Sequence, residues 1–351
     1  MTSSAETYVA KCLYGLEEEL MAEVEERLGA DCAHGWCEVV FSTPLPVLRL
    51  HDLRLARNVF MEFDSFMIGP TAEALDGLTD RLSELPLDRW EEFWEQFNGE
   101  PPESEDISVS VKRSGEHNYT YKDVEERACN VLADSCGRKV GLDSRPLELR
   151  IRINQERCVL RGRLCPQPLS RRPYRVRYAR CATDPTLAAA MLRVAEPTRD
   201  GRFLDPFCGV GTVAIERALL GPAEAVVAGD INPRRIGWAQ ANIEAAHAPV
   251  ELAQWDARVL PFENRAFTRI VTAPPQGNPA DGRPWDLEEF AELMAECLRV
   301  LEYGGISVWL VQHGDLLENA AGLVGLSRLR ETMPCQWKGT RWTIYALDKL
   351  P

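Results

Sequence analysis

No stretch of this 351-residue chain comes near the ~18 uninterrupted apolar residues of a membrane span, so a membrane role is not expected. The opening, MTSSAETYVAKCLYGLEEEL, lacks the basic start and apolar core of a secretory signal, and a cytoplasmic location is expected. Metal spacing is missing as well. None of the eleven cysteines stands in a Cys-x-x-Cys pair, and the five histidines are scattered. No metal is therefore expected, and the cysteines read as small buried hydrophobes in a reducing compartment. A positive total is also absent: the net charge is −14, which argues against a generally adhesive nucleic-acid binder. No repeat of solenoid length appears.

What is present suffices for two or three cored domains, because 45% of the residues are hydrophobic. Charge is unevenly spread. Residues 161–180, RGRLCPQPLSRRPYRVRYAR, hold seven arginines and no acid, whereas Leu85 to Ile107 is mostly acidic and aromatic. Prolines interrupt the arginine run, so it reads as a phosphate-contacting linker and not as a solvated helix face. Upstream, GLEEELMAEVEERLG has helical spacing with a glycine stop, WCEVVFS reads as a strand, VLRLHDLRLARNV as a second amphipathic helix, and FMEFDSFMIG as a strand. Residues 70–106 look helical; ISVSVKRSG is a strand, YKDVEERACNVLADSCG a helix, and LELRIRINQERCVLRGRL a pair of alternating strands. From about residue 181 strands and helices alternate, which implies a mostly parallel sheet covered on both faces. QWKGTRWTIYALDKL suits a terminal antiparallel hairpin.

The most informative segment is LDPFCGVGTVAIERA, Leu204 to Ala218. A strand ends in an acid, a glycine-rich turn follows, and a helix begins, so backbone N–H groups are offered to a ligand at close range. Gly209-x-Gly211-x-x-Ala214 also fits a dinucleotide fingerprint, and Asp230 ends the next strand where an acid would hold ribose hydroxyls. Asp256 ends the following short element, placed to accept from an adenine amine. A fourth strand then stops in Ala273-Pro274-Pro275-Gln276. Three acids and a double-proline loop after successive strands describe a Rossmann-like S-adenosylmethionine site.

DPFCGVGT followed by the double-proline loop resembles the catalytic domain of THUMP-containing RNA methyltransferases. KRSGEHNYTYKDVEERACNVL and VGLDSRPLELRIRIN resemble the THUMP module, PLSRRPYRVRYARCATDPTLAAAML the linker and first catalytic helix, and YGLEEEL the ferredoxin-like domain before it. The likeness is to members that methylate guanosine N2 in tRNA. It implies a ferredoxin-like domain over 1–68, a THUMP-like RNA-binding α+β domain over 69–165, an Arg/Pro linker over 166–180 and a Rossmann-like methyltransferase domain over 181–351. Asp205, Phe207, Gly209 and Gly211 would surround the amino-acid end of S-adenosylmethionine, with Asp230 at its ribose and Asp256 at its adenine. Lys112, Arg113 and His117 are candidates for RNA contact, and Arg171, Arg172 and Arg175 for phosphate contact. The expected partner is tRNA, alternatively rRNA, acted on by a monomer.

The double-proline loop departs from the family, which has Asn or Asp first and Tyr or Phe last. The first side chain and a proline carbonyl accept the two N–H bonds of the target amine, while the ring stacks on the flipped base. Ala273 accepts only through its backbone, and Gln276 offers an amide edge where a π-face is expected. Asn278 and Asp281 are candidate substitute acceptors. Besides the methyltransferase, two alternatives stand: a weak or inactive homologue that binds cofactor and RNA, and a nicotinamide-dependent oxidoreductase resting on the glycine spacing alone.

Overall fold

The computed structural model describes residues 6–143, 145–197, 201–277 and 283–351. The chain divides into two compact units. One holds residues up to Leu169 except Leu13–Leu16; the other holds Leu13–Leu16 and Ser170–Pro351.

The first unit is built on one eight-stranded sheet. Its strands are β1 (Thr7–Lys11), β2 (Cys32–Gly35), β3 (Glu38–Ser42), β4 (Asn58–Met67), β5 (Ile107–Ser114), β6 (Val140–Gly141), β7 (Leu147–Asn154) and β8 (Arg157–Arg163), in the order β2-β3-β1-β4-β8-β7-β5-β6. The expected boundary at 68/69 falls within this sheet, because β4 pairs antiparallel with β8 from Phe60 to Met67. Helices α1 (Glu17–Leu28), α2 (Ala74–Ser83), α3 (Leu87–Asn98) and α4 (Tyr121–Cys136) follow their sequence periodicity. The start of α4 is fixed by a reciprocal capping box between Thr120 and Asp123. In β7, Leu147, Leu149, Ile151 and Ile153 are buried on one face, while Glu148, Arg150 and Arg152 stand on the other.

The helix expected over VLRLHDLRLARNV does not form. Only a 3-10 segment, Val47–Asp52, precedes β4. Buried Glu23 on α1 accepts the backbone N–H groups of Arg54 and Leu55 at 2.9 Å each, and so takes the donors a continuing helix would need.

The second unit has the expected alternation. After α5 (Pro185–Ala195) come β9 (Arg202–Asp205), α6 (Thr212–Leu219), β10 (Ala225–Asp230), α7 (Pro233–Ala246), β11 (Glu251–Gln254), β12 (Phe267–Thr272), α8 (Leu287–Val300), β13 (Leu301–Val311), α9 (Gly314–Val324), β14 (Ser327–Trp337) and β15 (Thr340–Lys349). Helix α9 was not anticipated. The sheet order is β11-β10-β9-β12-β13-β15-β14, parallel through β13 and antiparallel in the terminal hairpin. This is a Rossmann-like sheet whose strand order reverses between β9 and β12, the place where open α/β sheets bind ligands. A continuous core of Ile270, Phe290, Met294, Leu298, Trp309 and Leu347 fixes these strands from below the site.

Candidate active site

Beyond the carboxyl ends of β9, β10 and β12 lies a cavity of about 540 Å³, the size of a small-molecule site. The turn Pro206–Val210 forms one wall. The N–H of Cys208 donates to the Gly229 carbonyl at 2.8 Å, and that of Gly211 to Cys208 at 2.8 Å, which docks the turn on β10 and starts α6. Gly211 has φ 86°, a conformation costly for any residue with a Cβ. Buried Asn242 on α7 donates to the Val210 carbonyl at 2.9 Å and holds the turn from outside.

Asp205 is 1% exposed and is not on the cavity wall. Its Oδ1 accepts from Thr272 Oγ1 at 3.0 Å and from the Phe207 N–H at 3.3 Å. It thus ties the glycine turn to the last residue of β12. Burial pushes its carboxyl up to about 7, against those two hydrogen bonds, and the nearby Asp230 charge adds to the rise.

Asp230 does face the cavity. Its Oδ2 accepts from Gly209 N at 3.1 Å and its Oδ1 from Asn232 N at 2.9 Å, with Arg235 Nη1 3.6 Å from Oδ2. Trp255 lies against Gly229, where an added Cβ would come within 2.4 Å of the indole, and its Nε1 donates to the Pro206 carbonyl at 3.2 Å. One ring therefore locks the ends of β9, β10 and β11. Asp256 follows on the wall, held by Arg258 through Nε at 3.1 Å and Nη2 at 2.6 Å, and this guanidinium lowers the Asp256 carboxyl from its ordinary value.

The double-proline loop makes the opposite wall. Gln276 Nε2 donates to the Pro274 carbonyl at 3.2 Å, while Gln276 Oε1 accepts from the Gln312 N–H at 3.2 Å. Trp285 Nε1 donates to the Pro275 carbonyl at 2.7 Å. Trp337, Lys338 and Trp342 of the terminal hairpin complete the lining.

The comparisons agree with this geometry. Residues 172–341 match the RMKL-like methyltransferase domain model. A tRNA (guanine(6)-N2)-methyltransferase of Thermus thermophilus is 30% identical over 300 residues, covering 85% of each chain. The chain belongs to the THUMP-containing RNA methyltransferase family. A bovine relative, tRNA (guanine(6)-N(2))-methyltransferase THUMP3, is 25% identical over 79% of this chain, which spans 56% of that relative's length. The crystal structure of TrmN from Thermus thermophilus superposes with a TM-score of 0.82 at 28% identity, covering 98% of this chain and all of that one.

The cofactor of this methyltransferase is S-adenosylmethionine, and the residues present suit it. Thr212 Oγ1, at the start of α6, is buried, lines the cavity and has no hydrogen-bond partner among the described residues. A cofactor carboxylate at the helix N-terminus would satisfy it. A Cβ on Gly209 would meet no protein atom within 4 Å. Of the cofactor residues expected from sequence, Phe207, Gly209, Asp230 and Asp256 are on the wall. Asp205 and Gly211 stand behind it and shape the turn. Thr212, Trp255, Asn242 and the hairpin tryptophans were missed; only the Thr after the glycine turn carries a local sequence signal.

Among the RNA candidates three corrections arise. Arg172 is 7% exposed, and its Nε donates to buried Glu216 at 3.0 Å, so the fold has already consumed its charge. Arg113 donates to the Gly115 carbonyl at 3.0 Å and to His117 Nδ1 at 2.7 Å, and His117 Nε2 donates to the Gln155 carbonyl at 2.8 Å. These two side chains hold a turn. Arg171 is exposed, and Arg175 lies over Tyr178 with two guanidinium nitrogens unpaired among the described residues. Lys112 is exposed on β5, directly opposite Arg152 on β7. Arg152 makes no ion pair within 4.0 Å among the described residues, and burial together with Arg150 and Arg161 holds its guanidinium below the ordinary value. Lys112 and Arg152 share a face with Arg150, Arg161 and Arg163. Asn278 and Asp281 lie outside the described residues. Among those described, no group of three or more His, Cys, Asp or Glu is placed to hold a metal, and no helix is long and apolar enough to cross a membrane.

Proposed function

We propose that this chain transfers a methyl group from S-adenosylmethionine to the exocyclic N2 amine of a guanosine in tRNA, at the position 6 that its relatives' names specify. The observation that carries the reading is one cavity with two chemistries. Asp230, Asp256 and the unpaired Thr212 hydroxyl stand on one side, and a double-proline loop on the other.

When bound, the cofactor supplies an electrophilic methyl on a sulfonium. The chain's own residues fix both partners. Asp230 accepts ribose hydroxyls, Asp256 accepts from the adenine amine, and the start of α6 holds the carboxylate. The Pro274 carbonyl has a second lone pair beside the one Gln276 occupies, and accepts one N–H of the target amine; the Ala273 carbonyl is the acceptor for the other. The two carbonyls would hold the N–H bonds so that the amine lone pair is aimed at that methyl, and one of the two protons would leave to solvent once nitrogen is alkylated. An active site made of backbone carbonyls does not need Asn at position 273, which supports an enzyme over an inactive homologue.

Residues 69–165 serve as the THUMP-like RNA-binding module, with 166–180 leading into the catalytic unit. Lys112, Arg152, Arg171 and Arg175 contact phosphate, since an arginine crowded by like charge gains most from an anion. The test incubates purified protein with unmodified tRNA transcripts and labelled cofactor, followed by nucleoside mass spectrometry. N2-methylguanosine that disappears when position 6 is changed to adenosine is the expected result; methylation of another atom or of no RNA overturns the reading.

A further inference from the structure

Gln276 cannot stack on a base. It has no ring, and its amide is engaged at both ends, by the Pro274 carbonyl and by the Gln312 N–H. That second contact fixes where the loop docks. Gln312 directly follows Val311, the last residue of β13 in register with β15, where Val311 faces Thr343. Gln312 and Trp342 are the next residues on the two chains, just past the end of that ladder. The loop's ringless position is therefore anchored at the strand end where a tryptophan stands.

Trp342 is half-buried and lines the same cavity as Ala273–Gln276. It pairs with Cys335 across the hairpin, so Trp337, two residues further on, is its diagonal neighbour on the same face. The two ring centroids are 5.2 Å apart at an interplanar angle of 57°. Trp337 is 6% exposed and is fixed from outside by Lys338, whose Nζ lies 4.2 Å from its ring centre and donates to the Arg180 carbonyl at 2.7 Å. Neither indole N–H has a hydrogen-bond partner among the described residues. Two large rings beside a ligand cavity, one braced and one partly open, form a stacking surface with a free donor.

We propose that Trp342, backed by Trp337, stacks on the flipped target base and so supplies from the hairpin the π-face that Gln276 leaves missing from the loop. The assignment rests on the tRNA methyltransferase reading above. Trp342 is a specificity-determining residue for the base; the cofactor lies with Asp230 and Asp256 and does not depend on it. Stacking of one base on an aromatic side chain is worth ~1–3 kcal/mol, a factor of about 5 to 150.

The experiment compares wild type, Trp342→Ala, Trp342→Phe and Trp342→Ala/Gln276→Tyr in two assays. The first is single-turnover methylation of tRNA transcript. Trp342→Ala loses about 5- to 150-fold, Trp342→Phe stays within a few-fold, and Gln276→Tyr restores rate to the Ala background by returning a ring to the loop. The second assay needs no turnover: tRNA carrying 2-aminopurine at position 6, bound with S-adenosylhomocysteine, has its fluorescence quenched by wild type and by Trp342→Phe but not by Trp342→Ala. Calorimetry with S-adenosylhomocysteine gives equal affinities for all four proteins. Trp342→Ala that methylates and quenches like wild type overturns the proposal while leaving the methyltransferase reading intact. Wild type that quenches without methylating supports Trp342 as the stacking residue and overturns the enzyme reading instead.

Discussion

At the scale of single residues, one hydroxyl on the cavity wall and one carboxyl behind it have environments that make opposite demands. Thr212 Oγ1 is buried without a partner among the described residues, a dehydrated donor that costs stability. Thr212→Val, which keeps the shape, should weaken S-adenosylhomocysteine by about 0.5–1.5 kcal/mol in calorimetry and leave the melting temperature equal or higher. A cofactor that binds the valine variant as tightly would move the carboxylate elsewhere. Asp205 makes the second demand. Its folded carboxyl lies near 7, above the ordinary 3.8, so the native state binds more protons than the unfolded chain between those values. The Asp205 contribution is thus most favourable below about pH 4, declines as pH rises to 7, and is flat beyond, at ~1.4 kcal/mol per unit. Asp205→Asn keeps an acceptor for Thr272 and Phe207. Its stability relative to wild type should rise from pH 5 to pH 8 by urea denaturation; a constant difference would show that Asp205 is charged throughout.

At the scale of elements, the strand ends behave as one locked group. Gly229 leaves no room for a Cβ beneath the Trp255 indole, which also reaches back to Pro206. Gly229→Ala should destabilise by about 1–3 kcal/mol through overpacking, and it should lower cofactor affinity because Asp230 is the next residue. Placing Trp255→Phe in the same chain should recover part of the stability; strict additivity in the double-mutant cycle would show that the two sites do not share the contact. These elements account for what sequence reading captured. The strands β9, β10 and β12, the glycine turn and the terminal hairpin were legible because each ends in residues whose backbone chemistry permits little else: an acid before glycines, a double proline, a Lys-Gly turn. The helix expected over 47–59 failed because a distant carboxylate, Glu23, outbid local periodicity for two N–H groups. Arg172 was read as a surface cation for the same reason, since the acid that buries it, Glu216, lies 44 residues away. Trp342 carried no local cue at all; it lines the same cavity as the loop only because β15 folds into the sheet.

At the scale of the whole molecule, an acidic chain has to bind an acidic polymer. The cations proposed to meet phosphate are concentrated, with Lys112 and Arg152 side by side on one sheet face and Arg171 and Arg175 leading into the catalytic unit. Neutralising Lys112 and Arg152 to glutamine should weaken tRNA binding for every tRNA sequence alike and flatten the log–log salt slope by between one and two units, measured by filter binding from 50 to 200 mM salt. An unchanged slope would place the RNA on another surface.

The same arrangement has a kinetic meaning. At a net charge of −14, most random encounters with RNA are repelled before contact, and on the phosphate contacts proposed above the approaches that persist are those that lead with phosphate toward the Lys112–Arg152 face. Repulsion elsewhere shortens the lifetime of misdirected collisions, so time is not spent on RNAs that dock in the wrong sense. On that proposal the acidic body acts as an orientational filter: it lowers the total rate of capture while raising the fraction of captures that begin on the Lys112–Arg152 face.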